Sequence, residues 1–200
     1  MQKRAEQTRR ALIRATAELI GDGGVRNAGL VNICRAAGVS RGALYHHFDT
    51  TEALAAAVHG QAHQQLTALV AAAFEASAHR GAARFSLLLV RALREDVTVR
   101  AGLQLDPHGS DGGPRLLEEV LGLVRDRMKG LHEDDVADLA VVVTAGLESL
   151  GRRDAQWWDP ATSERLWALL GPLFDPSARV APEGCEARPV RGARGAPAEC

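Results

Sequence analysis

A chain of 200 residues with 46% hydrophobic side chains can bury a core of ordinary size without disulfide or metal staples. Aromatic residues supply only 4%, and alanine and leucine dominate the apolar set, which argues against sandwiches and barrels and for packed helices. The net charge of -1 conceals an asymmetry: residues 1–48 hold eight Lys/Arg against three acids, whereas residues 49–175 hold 12 against 19, so the basic end is suited to a polyanion.

The first helix is expected over 6–20, where Ala11, Leu12, Ala15, Leu19 and Ile20 recur at three and four and leave Arg9, Arg10 and Arg14 outside. "GDGG" at 21–24 ends that period. Charges run through the first 20 residues without an uninterrupted apolar core, so neither a secretory signal nor a membrane span is expected. Cys34, Cys185 and Cys200 lack metal-ligand spacing and fit a reducing cytoplasm.

A second helix is expected over 30–37 and a third from a Ser40 cap to about Phe48, separated by "GVS". Gly38 can take the positive φ that a sharp exit requires, and Val39 can plug the corner. Two short helices joined in this way form a helix-turn-helix pattern. The third helix must bury Leu44 and Phe48, which leaves Arg41, Tyr45 and His46 for a groove wide enough to admit a helix, the major groove of DNA. Ser40 and the helix start suit a phosphate, and Gly42 permits close approach to a backbone. Arg41 suits guanine edges, at about 1–3 kcal/mol of discrimination per good bidentate pair. Lys3, Arg4, Arg9 and Arg10 would add attraction of no sequence preference through counterion release.

The stripe Leu54, Val58, Ala62, Leu66, Leu69 and Ala73, opened by Asp49 or Thr50 as a cap, predicts one long amphipathic helix. Further helices are expected near 82–96, 98–105, 114–129, 133–152 and 162–174, with a loop at 106–114. The breaker-rich residues 176–200 read as a disordered tail. The expected organisation is an all-α chain with a DNA-binding head over 1–49 and a helical body over 50–175.

Residues 5–60 resemble the DNA-binding domain of the TetR family, through "RAEQTRRALIRATAELIGDGGV", "ICRAAGVSRGALYHHF" and "TTEALAAAV" in the family's order and spacing. The resemblance implies an all-helical homodimer with a ligand-binding and dimerisation domain. It further implies a repressor bound to a pseudo-palindromic operator until a small molecule releases it. Two positions depart from the family's pattern. Ala28 and Gly29 stand where Thr or Ser usually caps the second helix, and Thr51 stands where a lysine is common, leaving a hydroxyl without charge for the backbone.

"VTVRAGLQLDPHG" at 97–109, with "RAEQTR", "GALYHHF" and the closing "RLWALLGPLF", is similar to the γ-butyrolactone autoregulator receptors of actinomycetes and their pseudo-receptor relatives. Those regulators control antibiotic production and development. The stretch "PRLLEEVLGLVRDRM" lacks the tryptophan that such receptors place over the lactone; the tryptophans here are Trp157 and Trp158, expected in a loop, and Trp167.

Apolar positions able to line one ligand cavity are Phe85, Leu88, Leu89, Leu103, Leu117, Leu121, Val124, Val143 and Leu147, with Gln104 and Thr144 as polar candidates. Each apolar position also suits plain core. The helices at 133–152 and 162–174 are expected to pack across a two-fold axis. A rival reading is a helical metal-dependent enzyme using His59 and His63 at i and i+4; His108 lies in a loop with Asp106 and Asp111, and Ser110 lacks a nucleophile-elbow context. "HGQAH" lacks the glutamate of the metalloprotease pattern, and no third ligand is placed nearby, so no cofactor or metal is expected. A third reading is a repressor without an effector.

Overall fold

The structure is a computed structural model that describes residues 2–105 and 115–174. The loop at 106–114, with Asp106, His108, Ser110 and Asp111, and the tail, with Cys185 and Cys200, lie outside the described residues. The fold is all-α, and no strand occurs among the described residues. In chain order the helices are α1 (Gln2–Gly23), α2 (Leu30–Ala37), α3 (Arg41–His47), α4 (Thr51–Ala76), α5 (Gly81–Glu95), α6 (Val97–Leu105), α7 (Leu116–Met128), α8 (Asp134–Gly151) and α9 (Pro160–Phe174).

Two buried clusters organise these helices. The first gathers Leu12, Ile13, Ala17 and Ile20 of α1, Ile33 and Cys34 of α2, and Leu44 of α3. Phe48 at the end of α3 and Leu54 and Val58 in the first turns of α4 close it, and Ala101 of α6 completes it. The second cluster is larger and centres on Phe85, Leu89 and Leu93 of α5, packed with α4, α6, α7, α8 and α9. Helix α4 therefore contributes its first turns to one cluster and its remainder to the other, while α6 is wedged into both.

The expected ends of α1 need extension. The helix begins at Gln2 and continues through Gly21 and Asp22 to Gly23, and only Gly24, at φ 77°, breaks it. A β-carbon on Gly21 would lie 2.7 Å from Val97 Cγ2, so glycine there admits α6 against α1. A 3-10 turn at Val25–Asn27 leads into α2. The expected loop around Trp157 and Trp158 is also partly ordered, as a 3-10 turn at Ala155–Trp158. It opens with the Asp154 carboxylate accepting from the Gln156 backbone N–H at 3.1 Å.

Helices α4 and α6 approach closely in the body. A β-carbon on Gly102 would fall 2.2 Å from Ala62 Cβ, so the Ala62 methyl packs against the bare backbone of Gly102. Polar ties extend the contact to α1: Gln104 Nε2 donates to the Gly21 carbonyl at 3.3 Å, and Arg100 Nη2 lies 3.6 Å from Asp22 Oδ1. On the other side, Arg152, which caps the end of α8, donates to the Leu103 carbonyl at 3.3 Å and pairs with the buried Glu148.

Candidate nucleic-acid interface

The turn between α2 and α3 has the geometry its residues require. Gly38 occupies the left-handed region (φ 66°, ψ 31°), where a β-carbon is disfavoured. The Val39 N–H then donates back to the Cys34 carbonyl at 3.0 Å, tying off the end of α2. Ser40 is extended, and its hydroxyl oxygen accepts from the Ala43 N–H at 3.1 Å, which fixes the first turn of α3. Leu44 and Phe48 are buried. The opposite face of α3 presents Arg41, Gly42, Tyr45 and His46 to solvent, with Tyr45 at 52% exposure.

The arm at the start of α1 adds positive charge around this face. Lys3, Arg4, Arg9 and Arg10 are exposed. The Arg9 guanidinium carbon lies 5.3 Å from the centre of the Phe48 ring, a cation–π contact that ties α1 to the exit of α3. Arg10 Nε is engaged with Glu6 at 2.9 Å, so part of its charge is neutralised within the helix. The rings of His46 and His47 meet edge to face at 5.3 Å. The Arg9 stack has no sequence signal beyond proximity, because it depends on the angle at which α1 crosses α3.

The two departures in the sequence have structural counterparts. Gly29 caps α2 without any side-chain hydrogen bond. The Thr51 hydroxyl is turned to the Glu52 carboxylate at 3.3 Å. Thr50, not Asp49, is the cap of α4 and accepts from the Ala53 N–H at 3.0 Å. Glu52 is held below its ordinary carboxylate range, first by its own backbone N–H and then by the Thr50 hydroxyl.

In the body, the expected cavity positions come together as packed core. Phe85, Leu89, Leu103, Leu121 and Val124 are buried in one cluster, Leu88, Leu117 and Val143 pack against it half-buried, and Leu147 is buried. The polar candidates are occupied locally. Gln104 reaches α1 as described, and the Thr144 hydroxyl donates to the Ala140 carbonyl at 2.8 Å. Open space lies elsewhere. One hollow of about 810 Å³ separates the α4–α5 corner and the start of α5 from α9, with Trp167 and Ser163 on its wall. Another of about 750 Å³ lies between α1, α4, α5 and the start of α6, with Leu88 at its edge. Sequence reasoning did not single out Ser163, although a serine one turn before Trp167 on an apolar helix face was a usable signal.

His63 Nε2 lies 3.1 Å from Glu119 Oε1, joining α4 to α7. No group of three potential metal ligands is found among the described residues, and no described helix is long and apolar enough to cross a membrane.

Residues 12–58, the segment that builds the first buried cluster and the exposed α3 face, match the family model described as "Bacterial regulatory proteins, tetR family". These residues form a TetR-family N-terminal domain. The TetR domain is 38% identical over 58 residues to the HTH-type transcriptional regulator UidR of Escherichia coli K12, covering 29% of this chain and 30% of UidR. The A-factor receptor protein of Streptomyces griseus is 35% identical over 114 residues, or 56% of this chain and 40% of the receptor. The chain thus spans less than half the length of either curated relative in the matched region. In three dimensions the likeness is wider. A crystal structure of a γ-butyrolactone receptor, an ArpA-like protein, superposes with a TM-score of 0.69 at 25% identity, covering 88% of this chain and 93% of that one. The fold beyond the TetR domain is therefore also TetR-like.

Proposed function

We propose that this chain is a homodimeric transcriptional repressor of the TetR type, with residues 1–49 reading a pseudo-palindromic operator and residues 50–175 forming a ligand-binding and dimerisation body. The observation that carries this reading is the α3 face: Arg41, Gly42, Tyr45 and His46 stand exposed on a helix whose start is fixed by Gly38 and Ser40. Arg41 reads base edges, Tyr45 and His46 reach phosphates or bases, and Ser40, Gly42 and Thr51 meet the sugar-phosphate backbone. Lys3, Arg4, Arg9 and Arg10 supply the salt-dependent part of the affinity. The reading is of a cytoplasmic DNA-binding protein, not an enzyme.

Dimerisation is supported by the outer faces of α8 and α9. Val142 is 66% exposed and Leu169 79%, and Leu150 and Leu173 are exposed beside them, an apolar set that a two-fold partner would cover. Pairing also explains how two α3 helices reach half-sites about one helical turn apart.

The resemblance to the A-factor receptor and to the ArpA-like structure supports an effector of γ-butyrolactone-like or antibiotic-like type and a role in secondary metabolism. Such an effector would enter among Phe85, Leu88, Leu89, Leu103, Leu117, Leu121, Val124, Val143 and Leu147, with Gln104 or Thr144 orienting it. Because most of these positions are closed, it would act by stabilising an expanded body that is poorly populated without it. A second reading, a constitutive or pseudo-receptor repressor, is favoured by that same closed packing.

A mobility-shift assay on DNA flanking the chain's own gene tests the reading. A specific shift reversed by an extract of the producing culture is the expected result. A specific shift that no extract reverses selects the second reading, and binding indifferent to DNA sequence overturns both.

A further inference from the structure

The hollow between α5 and α9 has features that neither packing nor dimerisation explains. Ser163 is fully buried and Trp167 nearly so, and both line this hollow. The Ser163 hydroxyl and the Trp167 indole N–H have no hydrogen-bond partner. A buried donor left in this state carries an uncompensated desolvation cost, which a bound acceptor would recover. These two groups stand one helical turn apart on the same wall and are closed to solvent, so an oxygen acceptor reaches them only as the wall yields around it.

The rest of the lining restricts the ligand further. Ala83, Leu87, Ala168 and Pro172 provide apolar walls. Arg80 and Arg84 lie one turn apart at the start of α5, exposed on the rim, and neither has an ion-pair partner among the described residues. Glu164 also borders the hollow, but it is directed to Arg91 at 3.9 Å, outside the lining. At about 810 Å³ the space falls in the range of small-molecule sites. The hollow does not coincide with the dimer surface: Ser163, Trp167 and Gly171 follow one face of α9, whereas Leu169 and Leu173 lie on the other.

We propose that this hollow is a binding site for an amphipathic organic acid: an apolar, ring-sized body whose carbonyl or ring oxygen accepts from Ser163 and Trp167, and whose carboxylate meets Arg80 and Arg84. The site is separate from the closed positions around Phe85. It asks for a negative charge that a neutral lactone lacks, so it selects a different class of molecule.

The test uses 4-benzoylbenzoate, which carries a carboxylate, two rings and a photoreactive ketone, beside uncharged benzophenone, both titrated into the full chain without DNA. Saturable binding of the acid is expected, with irradiation placing the adduct within 77–87 or 160–174. Replacing both arginines (Arg80→Ala with Arg84→Ala) should weaken the acid about tenfold and leave benzophenone unchanged, with lysine at both positions restoring most of the affinity. Ser163→Ala should weaken both probes about threefold. Non-saturable binding, an adduct mapped elsewhere, or an arginine-free variant that binds the acid as tightly as the parent would overturn the proposal. Since no DNA is present, failure here leaves the repressor reading untouched, and failure to bind an operator leaves this site untouched.

Discussion

The head and the body of this chain solve the same packing problem by different means. The head buries its small cluster with two helices of seven and eight residues, and relies on backbone devices at fixed points: a left-handed glycine at 38, a serine cap at 40 and a threonine cap at 50. The body has longer helices and fewer such devices, and is held by side-chain volume around Phe85, Leu89 and Leu93. Local chemistry dictates shape in the first; in the second, shape follows from how the helices happen to fit. That difference explains why the exposed α3 face is fixed by its own turn and cap, while the body has open space at its edges and is packed closed around Phe85.

Removing the anchor of the body gives the largest effect. Phe85→Ala should cost about 3–5 kcal/mol, read by thermal or urea unfolding. All three tryptophans lie in the body, so indole fluorescence reports its melting while far-UV circular dichroism reports both regions. Coincident transitions would show that the head cannot outlive the body; a fluorescence change that precedes the loss of helix would separate them. Next in size, Arg41→Ala should lose about 1–3 kcal/mol of specific operator binding in a mobility-shift titration, with melting and dimerisation unchanged. Retained specificity would remove α3 as the reading helix.

A smaller effect is expected from the cap at the junction. Thr50→Ala should lower stability by about 1 kcal/mol, measured by chemical denaturation. The same variant should move Glu52 back toward its ordinary carboxylate range, measured by carbon-detected NMR titration. Because the folded-state value lies below the unfolded one, the contribution of Glu52 is complete above the ordinary carboxylate range. It is lost as pH falls through the depressed value. The smallest effect belongs to the surface of the body. Lys129 donates to Asp126 at 2.6 Å and holds its carboxyl below the usual range, so Lys129→Ala should raise that value in the same titration with no measurable change in melting.

The contrast between the regions also determines what could be read from residues alone. The α2–α3 turn was legible because Gly38, Val39 and Ser40 act through their own backbone and nearest neighbours. The helices at 133–152 and 162–174 were legible as helices, but the exposed Val142 and Leu169 on their outer faces were not singled out. The state of the body was not legible. Phe85, Leu89 and Leu121 have the same identities whether they surround a cavity or fill it, and only the positions of the facing helices decide. Gln104 was offered as an orienting group for a ligand, yet the approach of α6 to Gly21 turns it toward α1, a long-range contact with no local signature. The exposed start of α1 beyond Glu6 was missed because a helix whose face is polar all round has no apolar period to detect.

The contact of Gly102 with Ala62 bears on how the molecule opens in solution. With the Ala62 methyl set against Gly102 and both α4 and α6 entering each buried cluster, the amides of the two helices should be released to solvent together, as one cooperative unit. Hydrogen exchange would then show a protected block that runs from the end of the head into the centre of the body. The slowest-exchanging part of the chain would straddle the division between head and body, and neither half would have a private opening equilibrium.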